Sequence, residues 1–194
     1  MRVADWVLRD GSGPEDEVTA LARSLDLPPL VARLLWMRGQ TTTSRARRFL
    51  TPRLADLSPP EGLSGIDGAS ERLARATREG ERIAICGDYD VDGMTGTALL
   101  VRFFRLMGGD CTWAIPDRKA HGYGLHPDMI EALAAEGVRV AVTVDNGISA
   151  HEALIRAEQL GIDVVITDHH LPGADLPPAC AIVNPHLDDE DELG

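Results

Sequence analysis

From Arg82 onward, short apolar runs alternate with longer stretches of helical spacing. Arg82 to Cys86, Cys111 to Ile115, Arg139 to Val144 and Asp163 to Thr167 read as strands, and Ala179 to Val183 as one more. Between them, Gly93 to Met107, His126 to Glu136 and Ser149 to Leu160 place apolar residues at helical intervals, with Gly108, Gly109 and Gly137 as stops. This alternation predicts an α/β fold with a mostly parallel sheet flanked by helices. The preceding chain has a different pattern. Glu15 to Leu25, Pro28 to Met37 and Ser44 to Leu50 predict three short helices, with Leu21, Leu25, Leu30, Leu34 and Leu35 available for burial and Pro52 closing the last. Pro59 to Gly62 reads as a linker, and Ile66 to Glu79 as a helix stopped by Gly80. The expected organisation is therefore a small helical region, 1–65, followed by the α/β domain, 66–194.

Composition changes this picture little. At 194 residues with 44% hydrophobic and 26% charged residues, the chain is ordinary globular material, and with 4% aromatics its core must be aliphatic. No apolar run reaches the ~18 residues of a membrane span. Met1 to Asp5 has no apolar stretch like that of a secretory signal, so a cytoplasmic protein is expected. Cys86, Cys111 and Cys180 are odd in number and far apart, which suits reduced thiols in that compartment. The net charge of -12 looks wrong for a nucleic-acid partner. Its distribution softens the objection: residues 1–80 carry 12 basic and 11 acidic side chains, and residues 81–194 carry 7 and 20. Five of those acids form the run Asp188 to Glu192, read as a solvated tail or loop.

Three polar motifs each follow a predicted strand, where ligands sit in parallel sheets. In the first, Asp88, Asp90 and Asp92 alternate, so in an extended loop two or three carboxylates can point one way. Gly93 and Gly96 follow at a helix start, whose free N–H groups suit a phosphate. Alone, this motif is equally a metal site or a turn with a helix cap. A calcium loop between two helices is a poor fit, because the downstream glutamate is absent and a strand precedes it. The second motif is Asp145 with the tight turn Asn146-Gly147, weak by itself. The third is Asp168-His169-His170. Imidazole with carboxylate suits Mn²⁺, Zn²⁺ or Fe, with Mg²⁺ less natural at nitrogen. Adjacent side chains usually diverge, so different tasks are expected for His169 and His170, with Asp168 orienting one of them. Converging carboxylates of this number need cations to offset their repulsion, and two divalent ions would serve attack on a phosphate ester.

The stretch 116–125 gathers Arg118, Lys119, His121 and Tyr123 between flexible glycines. It reads either as a solvated loop or as a substrate grip in which Arg118, Lys119 and His121 hold phosphates and Tyr123 stacks on a base or sugar. Arg45, Arg47, Arg48 and Arg53 cluster in the helical region, where a solvated helix face is expected rather than a DNA contact.

Together these residues resemble the DHH phosphoesterase superfamily. Asp90-Val91-Asp92 matches its first motif, Asp145-Asn146-Gly147 its second, and Asp168-His169-His170 the motif that names it. The likeness is closer still to its members that degrade single-stranded DNA from 5′ to 3′. It extends over Gly87 to Gly93, Gly122 to Leu125, Val183 to His186, Leu34 to Gly39 and Phe49 to Pro52. The resemblance implies a DHH domain with two ions, Mn²⁺ or Mg²⁺. Asp145 would bridge them, Asp90 would serve one, and Asp92 and His169 the other. His170 would contact the scissile phosphate, and Asp88, Gly93, Gly96, Arg118, His121 and Tyr123 would line the substrate path. It further implies a hydrolase of the exonuclease type that releases 5′-mononucleotides in DNA repair and recombination. Its partners would be single-stranded DNA, a single-strand-binding protein and a helicase, and no membrane.

Two departures stand out. Many members have a histidine ligand where this chain has Cys86, though some lack it; Cys86 is a ligand or a buried strand residue. A later acidic ligand and further domains of the family are expected beyond Gly194, so the chain is read as an incomplete amino-terminal part, weak or inactive alone. Two competing readings keep the fold. Smaller relatives cleave short oligonucleotides, cyclic dinucleotides or pyrophosphate, but the helical region before Pro59 argues against them. Inactive relatives serve as binding modules, but the intact aspartates and histidines argue against that.

Overall fold

The computed structural model describes residues 13–57, 59–120 and 122–187. The chain splits into two units, Met1–Ser58 and Pro59–Gly194. The stretch Pro59 to Gly65, expected at the end of the helical region, thus groups with the α/β domain. Leu63 and Ile66 pack against that domain's core, and Gly65 lies so close to the Ile182 backbone that a Cβ would come within 2.1 Å of its carbonyl oxygen.

The first unit holds α1 (Glu15–Leu25), α2 (Pro29–Met37) and α3 (Thr43–Leu50), then a 3-10 turn at Leu54–Asp56. Each helix start has a local cause. Acids fill the first turn of α1, Pro29 opens α2, and the Thr42 side chain accepts the Arg45 N–H at the start of α3. Val18, Leu21, Ala22, Ala32, Leu35 and Ala46 form the core. Leu30 and Leu34 are not part of it, at 68% and 43% exposed. Apolar residues surround α2 on nearly every side, so spacing alone does not select the inward stripe; the face with Val31, Ala32, Leu35 and Trp36 turns in and the opposite face with Leu30 and Leu34 turns out.

The second unit begins with α4 (Ile66–Glu79) and continues β1 (Arg82–Gly87), α5 (Val91–Leu106), β2 (Cys111–Ala114), α6 (Pro127–Ala135), β3 (Val138–Val144), α7 (His151–Gln159), β4 (Asp163–Thr167) and β5 (Ala181–Val183). All four strand pairings are parallel, in the order β2-β1-β3-β4-β5. Alternate strand residues feed two cores. Ile83, Ile85, Val140, Val142 and Val165 meet Ala69 and Ala76 of α4 and Val101 and Phe104 of α5. Ala84, Cys86, Ala141, Val164 and Ile166 meet Ile130 and Leu133 of α6 and Leu154 and Ala157 of α7. Removing one of these fully buried isoleucines down to alanine would cost about 2–5 kcal/mol. Arg72, 6% exposed, ties α4 to the opposite rim through Glu81 and Asp163, each at 2.6 Å. Among the described residues no helix is long and apolar enough to cross a membrane.

The strand register builds a flush rim. Gly87 pairs with Val144, Val144 with Thr167, and Thr167 with Val183, so four strands end level. The next residue of each is polar and buried: Asp88, Asp145, Asp168 and Asn184 are 1%, 9%, 7% and 0% exposed. In this strand order the connection from β1 runs to one side, to β2, and that from β3 to the other, to β4, and the crevice beyond the ends of β1 and β3 is where such sheets bind ligands.

Candidate metal centre

At the end of β1 the chain turns directly into α5. Asp90 caps the helix, its Oδ1 accepting the Gly93 N–H at 3.0 Å. This corrects the expectation of an extended acidic loop. The helix begins at Val91 rather than Gly93, and Asp92 is exposed in its first turn. Asp88 points inward and accepts the Gly124 N–H at 3.3 Å, so it braces the glycine loop rather than facing a substrate. Close packing explains the early start. A Cβ on Gly93 would lie 2.4 Å from the Asp88 nitrogen, and one on Gly96 2.5 Å from Val144 Cγ1. Gly93 and Gly96 therefore let α5 close onto β1 and β3, and the Gly93 N–H is already engaged.

At the end of β3, Asp145 adopts φ 63°, a left-handed conformation that aspartate tolerates better than most residues. Strain of this kind gathers at functional sites. Its N–H continues the ladder to the Thr167 carbonyl at 3.0 Å. Asn146 pins the turn by donating to the Cys86 and Val144 carbonyls at 3.0 and 2.9 Å. Asp145 Oδ1 lies 2.8 Å from His169 Nε2. Burial pushes the Asp145 carboxyl up from its ordinary range, with the Asp90 charge adding to the shift and His169 opposing it.

At the end of β4, Asp168 Oδ1 lies 2.7 Å from His170 Nδ1 and accepts the N–H groups of His169 and His170; Oδ2 accepts the Ile148 N–H at 3.0 Å. Burial would raise the Asp168 carboxyl, but the Ile148 N–H and the His170 contacts outweigh it and hold it below the usual carboxylate range. Asn184, beyond β5, donates to the His170 carbonyl at 2.9 Å. The two imidazoles do not diverge as expected: their ring centres are 4.7 Å apart and tilted by 34°. Each has its own carboxylate.

The result is a set of donors: atoms of Asp145, His169 and His170 all lie within 4.8 Å of one another. Asp90 is near enough for its charge to favour the protonated forms of both Asp145 and His170. Asp92 and Asp90 lie outside the three-residue cluster, and His170, expected only at the phosphate, lies inside it. One carboxylate and two imidazoles suit a divalent ion of the Mn²⁺ type.

The neighbouring loop differs from its expected use. The Tyr123 hydroxyl donates to the Asp145 carbonyl at 2.7 Å and stands 3.1 Å from His170 Nδ1, with the rings edge to face. Burial and the surrounding aspartates push its phenol well above its usual value. Tyr123 therefore props the site with its hydroxyl. The Arg118 guanidinium sits 5.2 Å from the Tyr89 ring centre. His121 and the acidic run after Leu187 lie outside the described residues. Cys86 is a core residue, 1% exposed, whose thiol burial pushes up to about 12. Sequence reasoning missed Asn184 and Asn146 as positioning residues. The signal was there, since Asn184 directly follows an apolar strand and Asn146 is the second residue after the end of another.

A parallel sheet flanked by helices, with carboxylates and imidazoles on level strand ends, defines the class: an α/β domain with a candidate metal centre. The DHH family, N-terminal domain, matches residues 82–191, and the chain belongs to that family. It is 48% identical over 165 residues to the single-stranded-DNA-specific exonuclease RecJ of Salmonella typhimurium, covering 84% of this chain and 28% of that protein. The RecJ of Bacillus subtilis is 41% identical over 172 residues, 88% of this chain and 22% of that one. The chain thus spans less than a third of the length of these relatives. Among solved structures, exonuclease RecJ bound to manganese superposes with a TM-score of 0.62 and 40% identity, over 66% of this chain and 33% of that one. RecJ from Thermus thermophilus in complex with Mn²⁺ gives 0.66 and 33%, over 92% and 24%.

Proposed function

We propose that this chain carries the metal-binding part of a nuclease that degrades single-stranded DNA from 5′ to 3′ and releases 5′-mononucleotides. One observation carries the reading: level strand ends bring Asp145, His169 and His170 within 4.8 Å of one another, with Asp90 beside them. Relatives named as single-stranded-DNA-specific exonucleases, and solved with Mn²⁺ or Mg²⁺, support it.

Asp145 and His169 would hold the ions with Asp90 and Asp92, Asp145 serving both. When bound, the ions supply a water acidic enough to be a nucleophile near neutral pH and neutralise charge on the phosphate. The chain's own residues do the rest. Asp168 holds His170 by Nδ1, and Nε2, 3.4 Å from the Tyr123 hydroxyl, would meet a phosphate oxygen. Tyr123 keeps the Asp145 backbone in its left-handed turn. In the cell the protein would act in the cytoplasm in DNA repair and recombination, with a single-strand-binding protein and a helicase.

The test is a nuclease assay on the full-length protein with a long 5′-ended single strand and with dinucleotides. Degradation of the long strand only with added Mn²⁺ or Mg²⁺, abolished in Asp145→Ala, is expected. Undiminished activity in Asp145→Ala, or cleavage confined to dinucleotides, overturns the reading.

A further inference from the structure

The chain is acidic overall, with net charge -12, yet residues 27–55 hold six arginines and no aspartate or glutamate. Four of them, Arg45, Arg47, Arg48 and Arg53, fall within α3 and the turn after it. Arg47, Arg48 and Arg53 line a cleft of about 630 Å³ with the hydroxyl residues Ser44 and Thr51 and a single carboxylate, Asp56. That carboxylate acts as a jig. Arg53 grips it with Nε and Nη2 at 2.7 and 2.8 Å, and Arg48 Nη2 donates to the Asp56 carbonyl at 2.9 Å. Arg45 and Arg47 are exposed and, among the described residues, pair with no carboxylate. Phe49, between them and Arg53, is 51% exposed.

Each part of this arrangement selects the same ligand chemistry. Guanidinium forks take phosphate oxygens in pairs, and hydroxyls add neutral donors. Phe49, next to Arg48 in the chain and outside the cleft lining, exposes a ring that suits the face of an unpaired base. Three guanidinium groups line the cleft against one carboxylate, and Arg45 is exposed on the same helix, which leaves excess positive charge for a polyanion. We propose that the α3 cleft is a binding site for the phosphate backbone of a single-stranded nucleic acid, built wholly within the first unit. The proposal takes its ligand from the substrate reading above but stands on a different surface.

The test measures fluorescence anisotropy of a labelled 20-nucleotide oligothymidylate titrated with the 194-residue chain, in EDTA and across NaCl concentrations. Arg45→Glu with Arg47→Glu is expected to weaken binding at least tenfold. The slope of log affinity on log salt should shrink by about 1.4, at ~0.7 for each phosphate no longer neutralised on a single strand. Arg23→Glu, an exposed change of the same sign on α1, should alter affinity less than twofold. Phe49→Ala should weaken the single strand but not a duplex. If circular dichroism shows the double glutamate variant unfolded, Arg45→Gln with Arg47→Gln serves, with about a fivefold loss expected. No binding by the wild-type chain at low salt, or equal affinity of the double variant and Arg23→Glu, overturns the proposal; the latter is the outcome if this surface docks a protein. EDTA keeps nuclease chemistry out of the assay, so failure of the substrate reading shows separately, as cleavage missing when Mn²⁺ is added to the full-length protein.

Discussion

Asp168 and His170 are only two residues apart, yet Asp168 Oδ1 lies 2.7 Å from His170 Nδ1. The carboxylate folds the chain over itself, taking the backbone N–H groups of both histidines, while its second oxygen holds the Ile148 N–H after β3. One buried side chain thus fixes the direction of an imidazole and its distance from the neighbouring loop. Asp168→Asn keeps the shape but loses the charge and one acceptor. It should lower the Mn²⁺-dependent nuclease activity of the full-length protein by about 10–100-fold, the usual cost of removing an orienting partner. An assay on a 5′-ended single strand measures this, and unchanged activity would show that His170 finds its direction without Asp168.

Asn184 makes the complementary contact from β5, to the His170 carbonyl. Asn184→Ala leaves that carbonyl and the His186 N–H without their partner. A stability loss of about 1–3 kcal/mol is expected in urea unfolding, from buried groups left unpaired. A loss below that range would mean the loop closes over the gap.

Gly93 links the fold to the site. Its α-carbon faces the Asp88 backbone at a distance no side chain can occupy, with a Cβ 2.4 Å from the nitrogen. Gly93→Ala must push the first turn of α5, and Asp90 with it, away from Asp145. Overpacking of this kind costs about 1–3 kcal/mol, seen in thermal or urea unfolding. Weaker Mn²⁺ binding should accompany the loss, whereas a variant as stable as the parent would refute the close approach.

Cys86 gives a pH prediction. Its thiol is pushed up to about 12 in the folded chain by burial, against an ordinary value of 9.0. The folded state therefore keeps a proton that the unfolded state gives up. The associated stability is full below pH 9.0 and declines as pH rises from there towards 12. The stability gap between wild type and Cys86→Ala should be constant from pH 7 to about 8.5 and then close by up to ~1.4 kcal/mol per pH unit. A thiol reagent at pH 8 should label exposed Cys180 and spare Cys86 until urea is added. Rapid labelling of Cys86 in the native chain would contradict its burial.

Much of this was legible before any coordinates. Glycine stops and apolar periods located every helix and strand of the α/β unit within about two residues, because local chemistry fixes where such elements end. Asp163–Thr167 and Ile66–Glu79 fell on their observed limits. The level strand ends followed from the parallel topology. What sequence could not reveal was direction. Whether Asp88 faces a substrate or a glycine N–H depends on the approach of Gly124 from 36 positions away. Tyr123 offered an aromatic face on paper, but the hydroxyl that reaches the Asp145 carbonyl belongs to the tertiary fold. Leu30 and Leu34 face outward although their spacing suits burial, because α2 has apolar residues on almost all sides and only packing chooses among them.

The most direct test of the metal centre is anomalous scattering at the manganese edge from crystals of this chain grown with MnCl₂. A peak is expected at the ends of β3 and β4, within bonding distance of Asp145 and His169, and Asp145→Ala should remove it. An empty site between those two residues at saturating Mn²⁺, with peaks only elsewhere on the surface, would contradict the proposed centre.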